Sequence, residues 1–321
     1  MPKIHKPRAG SLQFWPRKRA AKLLPSVNWS VLEKKYIRHK GLLGFICYKA
    51  GMARVLARDL TPDSMTKNKQ VIIPITILEC PPMKLLSVRF YKNKQVFTEV
   101  LAENLDKELK RKIKLPKTPK KITEIAQIIE EIKTKGIDNV RILVYSIAKL
   151  TGIKKTPDIA EIGLGGSLED KLNFIKEHLT KEFNINECFA IGQLVDVRGV
   201  TKGHGFTGPV KRFGIGLKSH KAEKGRRRPG SLGPWTPSRV TFRVAMAGQY
   251  GFFSRIHYNS KLLAMGTNKF EFPHYGKIRT NYVALKGSVQ GPAKRQVLIT
   301  MPLRETKSAA KENFEVVEFL K

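Results

Sequence analysis

From Leu42 to about residue 100 the chain alternates short apolar runs with turn residues. GLLGFICYKAGM, ARVLARD, VIIPITILE, LLSVRFY and KQVFTEV are separated by Gly, Pro, Asn and Lys. Such runs predict antiparallel strands of a small barrel or sandwich. From Glu103 the apolar spacing lengthens to three and four residues, so ENLDKELKRKIK and TEIAQIIEEIKTKG predict helices. DNVRILVYSI then predicts a buried strand. GGSLEDKLNFIKEHLTKEF predicts another helix, N-capped by Ser167, with Glu169 and Asp170 facing the positive end of its dipole. Strand signals return with AIGQLVDVRGV and continue as VTFRVAM, KLLAMG, NYVALKGSV, QVLITMP and FEVVEF. The pattern predicts a mainly β chain with an α/β insertion. A first barrel segment covers 41–100, the inserted α/β subdomain 101–189, and a second barrel segment 190–198 with 244–321.

Two stretches carry no such pattern. Residues 1–40 are proline-broken, with the basic cluster Arg17-Lys18-Arg19 and the aromatics Phe14, Trp15 and Trp29. They are expected to form an extended arm, its aromatics either anchored on the protein or stacked on bases. Residues 199–243 are rich in Gly and hold Trp235 between two prolines. They have too few large apolar side chains to bury a core and too many charges. A loop displaying Trp235 at its tip is expected there, with arm and loop as separate strings ordered only on a polyanion.

Charge changes this picture from irregular to purposeful. The net charge is +35 over 321 residues. Residues 1–40 hold eleven Lys or Arg and one acid; residues 198–243 hold twelve and the single acid Glu223. Residues 101–190 are nearly balanced, with seventeen basic and fourteen acidic side chains. Cations gathered where acids are absent are the footprint of a nucleic-acid binder. No run approaches the ~20 apolar residues of a spanning helix, so no membrane partner is expected. The proline-broken start has no apolar stretch of a secretory signal. Cys47, Cys80 and Cys188 are far apart in sequence, with no CxxC pair, and read as buried free thiols with no metal site.

Catalytic and cofactor chemistry finds little support. Gly203-His204-Gly205-Phe206-Thr207-Gly208 matches the G-x-G-x-x-G of a dinucleotide site letter by letter. That chemistry needs a following helix to hold the pyrophosphate; Pro209 and further glycines follow, and no helix is expected. No P-loop motif, HExxH or supported nucleophile–base pair is present, so the chain is expected to be no enzyme, with no cofactor and no small-molecule substrate. Gly163 to Ser167 opens a helix and reads as ordinary capping in preference to an anion cradle. His204 and His220 read as donors or stackers on nucleotides.

TKGHGFTGPVKRFGI, RRRPGSLGPW and PSRVTFRVAMAGQYG resemble the universal ribosomal large-subunit protein three family over nearly the whole chain. The opening KPRAGSLQFWPRKRA and the size of the insertion resemble its archaeal branch. The resemblance implies a discontinuous six-stranded translation-type β-barrel with an inserted α/β subdomain, a basic N-terminal arm and a long internal loop. It implies a structural, cytoplasmic ribosomal protein that binds large-subunit (23S-type) rRNA near its 3′ domain and supports subunit assembly. It also implies a loop whose tip, here Trp235, runs toward the peptidyl transferase centre, and neighbours that include large-subunit protein fourteen. Eukaryotic relatives carry a histidine near the start of the tip where this chain has Glu223, so a role tied to that histidine is not carried over.

The candidate RNA-binding residues follow. In the arm and its continuation they are Lys3, Lys6, Arg8, Arg17, Lys18, Arg19, Lys22, Arg38 and Lys40. In and beside the loop they are Lys202, His204, Lys211, Arg212, Lys218, His220, Lys224, Arg226, Arg227, Arg228, Arg239, Arg243 and Arg255. Arginines suit bidentate phosphate contacts and stacking, and lysines act as point charges. An architectural DNA-binding protein is the rival reading.

Overall fold

The computed structural model describes residues 14–116, 136–267 and 270–320. The chain is mainly β and divides into two compact units. The larger is Leu23–Gly199 with Ile256–Lys321; the smaller is Met1–Lys22, so far as it is described, with Val200–Arg255.

In chain order the elements are α1 (Trp29–Lys35), β1 (Gly41–Leu42), β2 (Gly44–Asp59), β3 (Gln70–Cys80), β4 (Met83–Lys92) and β5 (Gln95–Leu101). There follow β6 (Asn139–Ser146), β7 (Ile159–Gly165), α2 (Leu168–Glu177), β8 (Leu194–Val200), β9 (Gly203–Thr207), α3 (Pro209–Phe213) and β10 (Gly248–Gly251). The chain continues with β11 (Ser254–Gly266), β12 (Asn281–Lys286), β13 (Gln296–Thr300), α4 (Lys307–Lys311) and β14 (Phe314–Leu320).

Among the described residues the larger unit holds two large sheets and a short two-stranded ladder of Glu271–Phe272 with Gly276–Lys277. One runs β1-β7-β6-β4-β5. The other runs β13-β8-β11-β12-β3-β2-β14, and β13 also pairs with β2, Gln296 lying opposite Tyr48. The pairings of six of its strands therefore return to their start. β2 is long enough to carry β13 on its first half and β14 on its second. Its first five residues are all buried, whereas its second half alternates buried and exposed positions. The switch reports a strand covered on both faces at one end and on one face at the other.

Packing explains these elements. The largest cluster joins Trp29 and Leu32 of α1, Leu172 and Ile175 of α2, Phe90, Ile142 and Leu164 of the five-stranded sheet, and Phe45, Val197 and Leu298 of the other. The buried carboxylates Glu33 and Glu79 are fully partnered, as burial requires. Glu33 accepts from Arg141 Nε at 3.0 Å and Asn139 Nδ2 at 2.6 Å. Glu79 accepts from the backbone N–H groups of Arg279 and Thr280 at 2.8 and 3.0 Å, and from the Tyr275 hydroxyl.

Several expectations need correction. LLSVRFY and KQVFTEV, assigned to the first barrel segment, form β4 and β5 and join the sheet of β6 and β7. Pro81 and Pro82 separate β3 from β4; lacking N–H donors they cannot continue a ladder, and the chain leaves one sheet for the other there. ENLDKELKRKIK forms only the 3₁₀ turn Lys107–Arg111. Its apolar residues Leu105, Leu109 and Ile113 instead lie on Leu86, Leu143 and Tyr145. TEIAQIIEEIKTKG falls almost wholly outside the described residues. VTFRVAM is not a strand; Val240, Phe242 and Met246 are exposed, and β propensity without a partner strand forms no ladder. The expected extended arm contains α1, and its Trp29 is buried in the core. Ser167 caps α2 in a full capping box with Asp170.

Candidate nucleic-acid interface

The small unit is built on a two-stranded ribbon. β9 pairs with β10, Gly248 opposite Thr207 and Gln249 opposite Phe206, before a register shift sets Gly251 opposite Gly203. Gly251 has φ +69°, and a Cβ there would stand 2.0 Å from the Lys202 carbonyl oxygen, so only glycine closes this ribbon. The one-turn α3 follows β9, with Pro209 at its start and Gly214 ending it at φ +67°. A helix thus does follow GHGFTG, contrary to expectation. The dinucleotide reading still fails, because Gly203–Thr207 is itself strand and α3 spans five residues.

Arg212 is the cross-tie of this unit. Its Nε donates to the Gln249 carbonyl at 3.0 Å and its Nη1 to the Met246 carbonyl at 2.9 Å. Burial first, and the Arg17 charge second, push its guanidinium below the usual arginine range. Arg17 in turn donates from Nη1 to the Arg212 carbonyl at 3.1 Å. It lies over the rings of Phe213 at 4.2 Å and Trp15 at 5.2 Å. Trp15 stacks on Phe213 and meets Phe242 edge-on, at centroid distances of 6.0 and 5.4 Å. The Ala20 N–H donates to the Phe252 carbonyl at 2.9 Å, and Arg19 lies over the Phe252 ring. Arg255 lies over Phe14 at 4.5 Å and Phe253 at 4.9 Å.

Arm and loop are therefore one body, not two separate strings. Cation–π contacts hold these guanidinium groups against the aromatic rings. Arg17, Arg212 and Arg255, all candidate RNA-binding residues, serve in this internal framework.

Beyond the ribbon the loop presents its charge outward. Lys218 and Arg226 close a turn, the Lys218 N–H donating to the Arg226 carbonyl at 3.1 Å and Arg226 Nε to the Lys218 carbonyl at 3.4 Å. Lys202, Lys211, Lys218, His220, Lys224, Arg226, Arg227, Arg228, Arg239 and Arg243 are exposed, as are Lys18, Arg19 and Lys22. Trp235 is 94% exposed. His204 is exposed and stacks on Tyr250, with ring centroids 5.0 Å apart.

Not every candidate gathers here. Arg38 and Lys40 belong to the larger unit, where Lys40 pairs with Asp170 at 2.8 Å. Lys3, Lys6 and Arg8 lie outside the described residues. Sequence reasoning missed Phe206, 80% exposed on β9 beside His204. An aromatic inside a glycine-rich cationic run was the available signal for it. Lys221 was also missed, and it stands among the loop cations.

The two segments of this unit carry nineteen Lys or Arg against the one acid Glu223, so +18 of the chain's +35. The larger unit neutralises many of its cations with Glu and Asp, including Glu33, Glu161 and Asp170; the small unit has Glu223 alone to do the same. Among the described residues no group of His, Cys, Asp and Glu could hold a metal ion, and no helix is long and apolar enough to cross a membrane.

Residues 1–320 match the family described as Ribosomal protein L3. The chain is 45% identical to the large ribosomal subunit protein uL3 of Methanocaldococcus jannaschii, over 94% of this chain and 92% of that one. It is 41% identical to the uL3 of Methanosphaera stadtmanae and 40% identical to that of Archaeoglobus fulgidus, each over 95% of this chain and 94% of the relative. These relatives are archaeal, and the match runs through both units, so the chain belongs to the ribosomal protein L3 family.

Proposed function

We propose that this chain is a non-enzymatic structural constituent of the large ribosomal subunit, holding rRNA through its small unit. The observation that carries the reading is a unit of net charge +18 with one carboxylate, in which exposed Phe206, Trp235 and Phe242 stand among the cations. Confined like charges repel, and a phosphate backbone relieves that repulsion with release of its counterions. Exposed rings add stacking on unpaired bases, which duplex DNA does not offer.

Family membership supports the finer features of the reading. The closed circuit of strand pairings supports a six-stranded barrel as the body. The N-terminal segment through Lys22 and the loop (199–243) reach into RNA near the 3′ domain of the 23S-type molecule. Trp235, at the tip, points toward the peptidyl transferase centre and tunes catalytic RNA without chemistry of its own. Protein fourteen is a neighbour, the chain supports subunit assembly, and its location is the cytoplasmic ribosome.

The test is binding of the full chain to a large-subunit rRNA transcript containing the 3′ domain, across a salt series, with duplex DNA as competitor. If ~6–10 phosphates are neutralised, affinity falls by roughly 10³–10⁵ between about 50 and 200 mM salt. Displacement of the rRNA by duplex DNA favours the architectural DNA-binding reading, and binding indifferent to salt removes both.

A further inference from the structure

The three cysteines, remote in sequence, are not remote in the fold. Tyr48 of β2 lies opposite Glu79 of β3, and the next pair along that antiparallel register is Cys47 and Cys80. Their Sγ atoms stand 3.0 Å apart, and both residues are fully buried in the largest apolar cluster. Opposed residues on antiparallel strands have Cα atoms about 4.5–5.5 Å apart. A disulfide accepts Cα separations of about 4.4–6.8 Å and needs a sulfur–sulfur distance of about 2.05 Å. The range for an opposed pair lies inside the first requirement, and closure of about 1 Å between side chains meets the second. Cys188 differs: its Sγ donates to the Asn184 carbonyl at 3.5 Å, within its own turn.

We propose that Cys47 and Cys80 are a disulfide-forming pair that an oxidant of the peroxide class links within the chain, with Cys188 left as a thiol. A peroxide oxidises one thiol to a sulfenic acid and leaves as water. The second thiol attacks that sulfur, and a second water departs as the S–S bond forms; two thiols lose two protons and two electrons in all. The cluster around the pair is apolar, and burial holds the Cys47 thiol well above its ordinary range. Reaction in the folded state therefore awaits a small neutral oxidant or a local opening, whereas folding in an oxidising buffer meets no such barrier.

The experiment treats the reduced full chain with hydrogen peroxide and, in parallel, refolds it in a mixture of reduced and oxidised glutathione. Each sample is then unfolded, alkylated with N-ethylmaleimide and mapped by mass spectrometry. The expected product is lighter by two hydrogens, alkylates only at Cys188, and yields a linked peptide pair containing Cys47 and Cys80. Dithiothreitol restores three alkylated sites, and Cys188→Ser leaves the link intact. Three alkylated cysteines under both regimes overturn the proposal, as does a bond to Cys188 or between two chains.

Discussion

The loop tip offers the sharpest test of how this chain meets RNA. Lys224, Arg227 and Arg228 are all exposed, in and just beyond the Lys218–Arg226 turn. Replacing all three by Ala removes three charges and leaves the Arg17–Trp15–Phe213 packing and the Arg212 ties intact. Folding stability should therefore move by no more than about 0.5 kcal/mol per site, as for surface changes in general. RNA binding should change in a defined way. Each phosphate contact contributes about 0.7–0.9 to the slope of log affinity against log salt, so three contribute about 2–3. Between about 50 and 200 mM salt, the parent should lose roughly 20–40-fold more affinity than the variant. Filter binding or fluorescence anisotropy on the 3′-domain transcript reads both slopes. Parallel lines for parent and variant would show that these side chains do not reach phosphate, and would refute the assignment of the tip to the RNA interface.

Three further outcomes are expected. Trp235→Ala should leave the thermal midpoint unchanged, since the ring is 94% exposed; assembly should survive while tRNA handling by the ribosome alters, and assembly loss with normal tRNA function would reverse the role assigned to the ring. Gly251→Ala forces a Cβ against the Lys202 carbonyl at a positive φ; a cost of at least about 1–2 kcal/mol should appear as faster amide exchange across β9 and β10, and unchanged exchange would contradict the ribbon geometry. Asp170→Asn probes pH. Hydrogen bonds from Lys40 and Ser167 hold the Asp170 carboxyl down at about 2. A depressed carboxylate stabilises the fold above its unfolded value, and the gain is lost as pH falls through the folded value. The stability gap between parent and D170N should thus be full at neutral pH and close between about pH 4 and pH 2; a gap constant over that window counts against the Lys40–Asp170–Ser167 arrangement.

By itself the sequence determined the mainly β class, the position of most strands, the capped helix at Ser167 and the cationic character of 199–243. These are local properties: apolar period sets strand or helix, a hydroxyl before an acid sets a helix start, and missing carboxylates leave charge unpaired. Tertiary structure decided which strands share a sheet, because alternation in LLSVRFY names a buried face and not the neighbour that covers it. It withheld a strand from VTFRVAM and a helix from ENLDKELKRKIK, where packing overrode propensity. It also divided the arginines. Composition treats Arg17 and Arg227 alike, yet one packs against two aromatic rings and the other stands in solvent. That difference depends on Trp15 and Phe213 meeting across nearly two hundred residues of chain, a contact that no short-range pattern records.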